Sequence, residues 1–117
     1  MTLLIILSVN GVFAMRLGFV PGHGVAETGS AANGKTIYGT HCLPCHGSTG
    51  EGNGPAAPML DKPPANLVGE DVRGDSDKEL LQIIRNGVPG TPMPPWKENL
   101  SAQHIRDVLA YIRSLAQ

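Results

Sequence analysis

Residues 47–67, GSTGEGNGPAAPMLDKPPANL, hold four glycines and four prolines and show neither helical nor strand periodicity. In a chain of 117 residues such a stretch must pack on something, because unstructured connections beyond about 12–15 residues are uncommon in compact domains. The rest of the sequence supplies little ordinary core for it. Both phenylalanines, Phe13 and Phe19, lie near the start, and after residue 30 the aromatic side chains are Tyr38, Trp96 and Tyr111. A single small domain has a large surface relative to its interior and depends on disulfides, a metal or a bound group. Cys42 and Cys45, the only cysteines, stand three apart, so a disulfide between them would close almost no loop and stabilise little. Something else should supply the missing core.

The chain divides into three parts. Residues 1–14, MTLLIILSVNGVFA, are a short apolar run ending in small residues, with no Lys or Arg ahead of it. They read as a secretory signal peptide or a short uncleaved anchor. The run is too short for a membrane span, so any membrane association would be through this segment. Residues 15–30 are Gly-rich and aperiodic and read as a flexible lead-in. The folded domain is expected over 31–117, all-α, with three main helices and no strand. The first helix runs from about Ala31 to Thr40, with Gly34 and Tyr38 on one face. The second, residues 76–87, has a capping-box pattern in Ser76 and Glu79 and a stop at Gly87. The third follows an N-cap at Ser101, with Ile105, Val108, Leu109, Ile112 and Leu115 at helical spacing. Arg113 lies off that stripe and suits the negative C-terminal end of its helix. A second loop, VPGTPMPPW, joins helices two and three.

Entering the first long loop, Cys42-Leu43-Pro44-Cys45-His46 spells C-x-x-C-H. In an exported chain this is the attachment pattern of a c-type haem. Two thiols at this spacing each add to one of two neighbouring vinyl groups on the porphyrin edge. The next residue is then carried over the ring face, where the His46 imidazole reaches the iron. Two other uses of these residues fit less well. A thioredoxin-like pair needs a βαβ setting, which is absent. Structural zinc needs four ligands, and Cys42, Cys45 and His46 offer three on one turn.

With His46 on one side of the iron, a second ligand is expected on the other, and methionine is common in cytochromes c. Met93, bracketed by Pro92, Pro94 and Pro95 in a stiffened loop, is the candidate. Met59, thirteen residues after His46, reads as packing. His23, His41 and His104 are alternatives that read as ordinary surface residues.

At these residues the chain resembles the class I (monohaem) cytochrome c family. The resemblance covers about residues 31–117 and rests on C-x-x-C-H followed in order by loop, middle helix, Met-Pro loop and C-terminal helix. It implies a small cytochrome c fold with long Gly/Pro-rich loops wrapped around one covalently bound haem c. It implies a crossing of the first and last helices at Gly34 and Tyr38 against Leu109 and Tyr111. It implies a proline carbonyl, best matched by Pro55, that orients the His46 ring, and packing of Trp96 near the haem edge. Leu43, Leu60, Leu67, Val68, Ile84, Val88 and Leu109 are expected to wrap the ring.

The function so implied is one-electron transfer between redox partner proteins in the periplasm or another exported location, not enzymatic catalysis. An alternative is a dedicated electron-accepting subunit of a periplasmic dehydrogenase or oxidase complex. A haem enzyme or gas sensor would need a labile sixth ligand. The formal net charge of −1 gives no basic footprint, so nucleic acid is not an expected partner.

Overall fold

A computed structural model of the chain describes residues 28–117. The expected leader, residues 1–14, and most of the expected lead-in fall outside the described residues. The described residues form α1 (Ala31–His41), α2 (Leu43–His46), α3 (Glu70–Gly74), α4 (Asp77–Asn86) and α5 (Ala102–Leu115), with 3-10 turns at Ala57–Met59 and Trp96–Glu98 and no strand among them. Helices α1, α4 and α5 are the three long ones.

Local chemistry sets their limits. The Ser76 hydroxyl accepts from the Glu79 N–H (3.3 Å) and the Glu79 carboxylate accepts from the Ser76 N–H (2.8 Å). This satisfies two donors that the first turn of α4 would otherwise leave unpaired. The same bonds hold the Glu79 carboxyl below the usual carboxylate range. Gly87, at φ +67°, stops the helix. The Ser101 hydroxyl caps α5 by accepting from the His104 N–H at 3.0 Å. The stripe of α5 then buries Ile105, Val108, Leu109 and Ile112.

Helix α1 has no comparable apolar stripe, and its seat on α5 depends on Gly34 and Tyr38, its two buried residues. A Cβ on Gly34 would collide with the Asp107 carbonyl of α5, so glycine is what lets the two backbones touch. One turn on, Tyr38 is 1% exposed. Its ring meets Tyr111 edge-on, with centroids 5.1 Å apart and planes at 62°, a favoured aromatic geometry. Its hydroxyl donates to the Gly47 carbonyl at 2.6 Å, so one side chain ties α1 to α5 and to the turn after α2. Burial, with Cys42 and Tyr111 nearby, pushes the Tyr38 phenol up to about 12. Leu109, expected both in this crossing and against the ring, is buried in the same cluster as Tyr38 and also lines the cavity described below.

One boundary reading changes. The lead-in does not run to residue 30. Ser30 caps α1 by accepting from the Asn33 N–H at 3.2 Å, and its own N–H donates to the buried Asp107 carboxylate at 2.8 Å. Gln103 donates to the same oxygen at 2.9 Å, so this buried charge has its partners. Arg113 stands in the last turn of α5, as expected, and its guanidinium also reaches beyond its own helix. It donates to the Asp77 carboxylate (3.0 Å) and to the carbonyls of Val72 (3.1 Å) and Asp75 (2.6 Å), clamping α5 to the α3–α4 junction. Among the described residues the buried apolar core is Tyr38, Leu80, Ile84, Ile105, Val108, Leu109 and Ile112, as thin as the composition implies.

Candidate functional site

The C-x-x-C-H segment folds as one tight turn on the end of α1. The Cys42 carbonyl accepts from the N–H groups of Cys45 (3.2 Å) and His46 (2.8 Å), and the Leu43 carbonyl accepts from Gly47 N–H (2.9 Å). Pro44 stands in the first turn of α2, where its missing N–H costs nothing. This winding brings Cys42, Cys45 and His46 to the wall of one cavity of about 390 Å³. The opposite arm is the loop from α4 to α5, which brings Met93 and Trp96 to the same cavity. Leu60, Leu67, Ile84, Val88 and Leu109 complete the expected apolar wall. Leu43 packs on the core instead, and Val68 packs near Gly50.

The His46 ring is half-buried, and its Nδ1 lies 3.0 Å from the carbonyl oxygen of Ala65. A carbonyl only accepts, so Nδ1 carries the proton and Nε2 keeps a free lone pair. Burial lowers the His46 pKa below its ordinary value, with the Ala65 bond acting in the opposite sense. The imidazole is therefore neutral at neutral pH and suited to ligate a metal.

The carbonyl that orients the ring belongs to Ala65 and not to Pro55. After Gly47 the chain runs back beneath the motif. The N–H groups of Gly52, Gly54 and Ala56 donate to the carbonyls of His46 (2.9 Å), Cys45 (3.0 Å) and Pro44 (2.8 Å). Pro55 lies in this returning strip and is exposed. The chain has to pass the Ala57–Met59 turn and Pro63-Pro64 before a carbonyl faces the ring. Met59, which the sequence suggests as packing, projects from that turn at 78% exposure.

The Cys42 thiol does not suit a redox pair. Burial, with Cys45 beside it, pushes the Cys42 thiol up to about 12, whereas reactive C-x-x-C thiols are lowered. Among the described residues no group of three or more His, Cys, Asp or Glu side chains is placed to hold a metal ion, so nothing among them supports structural zinc. Two thiols, a neutral imidazole and a thioether on one apolar cavity are a donor set that fits a covalently held haem c.

His41 is the residue that sequence reasoning missed. It is half-buried, lines the cavity, and sets its ring 5.1 Å from that of Trp96 at 59°. Nothing in its spacing signals this, because the contact depends on where the later loop returns. His104 is exposed at the start of α5, as expected, and His23 lies outside the described residues.

A helical shell closed over a C-x-x-C-H cavity defines a c-type cytochrome. Comparison with known proteins gives the same class. Residues 29–112 match the family model described as cytochrome c oxidase, cbb3-type, subunit III. The CcoP subunit of the cbb3-type oxidase of Azospirillum sp. (strain B510) is 32% identical over 96 residues, which cover 77% of this chain and 30% of that protein. Cytochrome c-554(548) of Halomonas halodenitrificans is 33% identical over 86 residues, covering 74% of this chain and 96% of that protein. A solved chain from the reducing HAO-like protein complex of Kuenenia stuttgartiensis superposes with a TM-score of 0.68 at 29% identity, covering 74% of this chain and 44% of that one. The chain belongs to the c-type cytochrome family whose model is that of subunit III of the cbb3-type oxidases, and it spans less than a third of the oxidase subunit it matches. As a member of this family it carries covalently bound haem c. No helix among the described residues is long and apolar enough to cross a membrane.

Proposed function

We propose that Cys42 and Cys45 would hold the haem by thioether bonds, that His46 and Met93 would ligate its iron, and that Trp96 would pack against it. The observation that carries this reading is the meeting of the C-x-x-C-H turn and the Met93 loop at one apolar cavity, with His46 already fixed in its ligating tautomer. The haem supplies an iron centre that takes up or gives back one electron. The residues of this chain would hold it in an apolar cavity, with His46 and Met93 as the groups that would ligate its iron. With both bound, the iron would have no site left for substrate, which suits a carrier between exported redox partners. An equilibrium redox titration of the holoprotein tests this. One reversible one-electron step, with a ferrous form inert to carbon monoxide, supports the reading. Ready uptake of carbon monoxide would instead favour a sensor or enzyme with a labile sixth ligand.

A second reading is favoured by a specific observation. The matched oxidase subunit contains a segment like this chain within a protein more than three times as long as that segment, so a domain of this kind is found there inside a larger oxidase subunit. Cytochrome c-554(548), matched over nearly its whole length, supports the free carrier. Native purification decides between them: a larger catalytic subunit that co-elutes through size exclusion favours the assembly, and a monomeric holoprotein favours the free carrier.

A further inference from the structure

Two arms enclose the cavity: the Cys42–His46 segment, continuous with α1, and the loop of residues 88–96 that leaves α4. The hydrogen bonds of that loop hold it to itself and to the end of α4. Val88 N–H donates to the Met93 carbonyl (3.3 Å), and the Thr91 hydroxyl donates to the Val88 carbonyl (2.7 Å). Met93 N–H donates to the Thr91 hydroxyl (3.3 Å), and Lys97 donates to the Asn86 side chain (3.3 Å). These bonds fix the side of the loop nearest α4. Towards the other arm the loop meets an aromatic contact, the His41 ring against Trp96.

The positions of these two residues give the contact its leverage. His41 is the last residue of α1, immediately before Cys42, and its backbone is held by the close crossing of α1 on α5. Trp96 follows Met93 by three residues. The two between, Pro94 and Pro95, have fixed φ and little slack, so a shift of the indole moves Met93. The ring separation and tilt fall in the favoured range for aromatic pairs, whose strength amounts to a roughly two- to tenfold bias on a local equilibrium.

We propose that His41 is a positioning residue for Met93: its imidazole is the abutment on which Trp96 rests, and through Trp96 and the two prolines it keeps the methionine arm closed over the cavity. This inference rests on Met93 as iron ligand. The part of His41 that acts is its flat ring, so a phenyl ring should serve and an aliphatic or amide side chain should not.

Ferric holoprotein with added imidazole as the probe tests the proposal. Imidazole binds where Met93 has left, so its apparent affinity scales with the fraction of open arm, a quantity that a general loss of packing elsewhere would not move selectively. His41→Ala and His41→Gln are expected to bind imidazole about two- to tenfold more tightly than wild type, and His41→Phe to remain within about twofold of it. His41→Gln keeps most of the side-chain volume and reads the same quantity if the alanine variant matures poorly. Wild-type affinity in the Ala and Gln variants overturns the proposal, as does a Phe variant as loose as Ala. A wild-type ferric form lacking the weak far-red sulfur–iron band would remove Met93 as ligand and the His41 role with it. The band with unchanged affinities removes the His41 role alone.

Discussion

Replacing Gly87 by alanine reaches the Met93 arm without replacing any residue that lines the cavity. Gly87 has φ +67° and ψ −174°, a region that is nearly glycine-only and costs other residues about 1–3 kcal/mol. An added Cβ would also stand 2.7 Å from the Met93 carbonyl oxygen and from the Pro94 carbonyl carbon. Those atoms are backbone and cannot swing aside. Reaching ordinary contact at 3.4 Å requires the Met93–Pro95 strip to move by about 0.7 Å, and strain and displacement fall on the same loop. The bond from Val88 N–H to the Met93 carbonyl, already 3.3 Å long, is the first to break, at about 1 kcal/mol. Gly87→Ala should therefore cost about 2–4 kcal/mol in urea unfolding of the holoprotein and weaken the far-red band. Gly39 is the matched control. It lies within α1 with nothing inside 4 Å of its Cβ position, so Gly39→Ala should gain about 0.5–1 kcal/mol. A Gly87→Ala protein within about 0.5 kcal/mol of wild type, with its band intact, would refute the claim that this glycine seats the Met93 arm.

Three further outcomes follow from the same structure. Tyr38→Phe removes the buried bond to the Gly47 carbonyl and should cost about 1–2 kcal/mol at neutral pH. Because the folded Tyr38 phenol sits at about 12, above the ordinary value near 10, its stabilisation is complete below about pH 10 and is lost as pH rises towards 12. The Phe variant should lack that alkaline loss in unfolding measured across this range, and an unchanged alkaline limb would count against the assignment. The Glu79 carboxyl is depressed by its bonds to Ser76, so its contribution to α4 is present above the ordinary carboxylate pKa, about 4.3, and is lost as pH falls through the folded value. Glu79→Gln should flatten the acid limb of stability against pH; an identical limb would contradict the capping role. A Cys42→Ala/Cys45→Ala chain, unable to hold haem covalently, should lose most of its far-UV helical signal, because the seven buried apolar side chains among the described residues are a small core for a domain of this size. Native helix content in that form would show that the loops stand without the group they wrap.

Much of the fold was legible because its signals are local. Ser76 with Glu79, Gly87 and Ser101 act within one helical turn of where they stand, and the apolar stripe of α5 has a helical period. The C-x-x-C-H turn is equally local. Features that depend on the return path of a loop were not legible. Pro55 and Ala65 both follow His46 in one aperiodic stretch, and which carbonyl meets the ring is decided by the hydrogen bonds that first pull residues 52–56 beneath the motif. The pairing of His41 with Trp96 joins segments far apart in sequence and leaves no spacing pattern. Ser30 looked like linker because it borders a Gly-rich run, yet its N–H has a buried partner 77 residues away in Asp107.

The central claim, a carrier whose iron is held between His46 and Met93, is tested most directly by comparing wild type with Met93→Ala. The wild-type ferric protein should show the far-red sulfur–iron band, and its ferrous form should resist carbon monoxide. The variant should lose the band, bind carbon monoxide and show a lower reduction potential, since methionine ligation raises it. A variant that keeps the band, or whose potential equals that of wild type, would contradict the account.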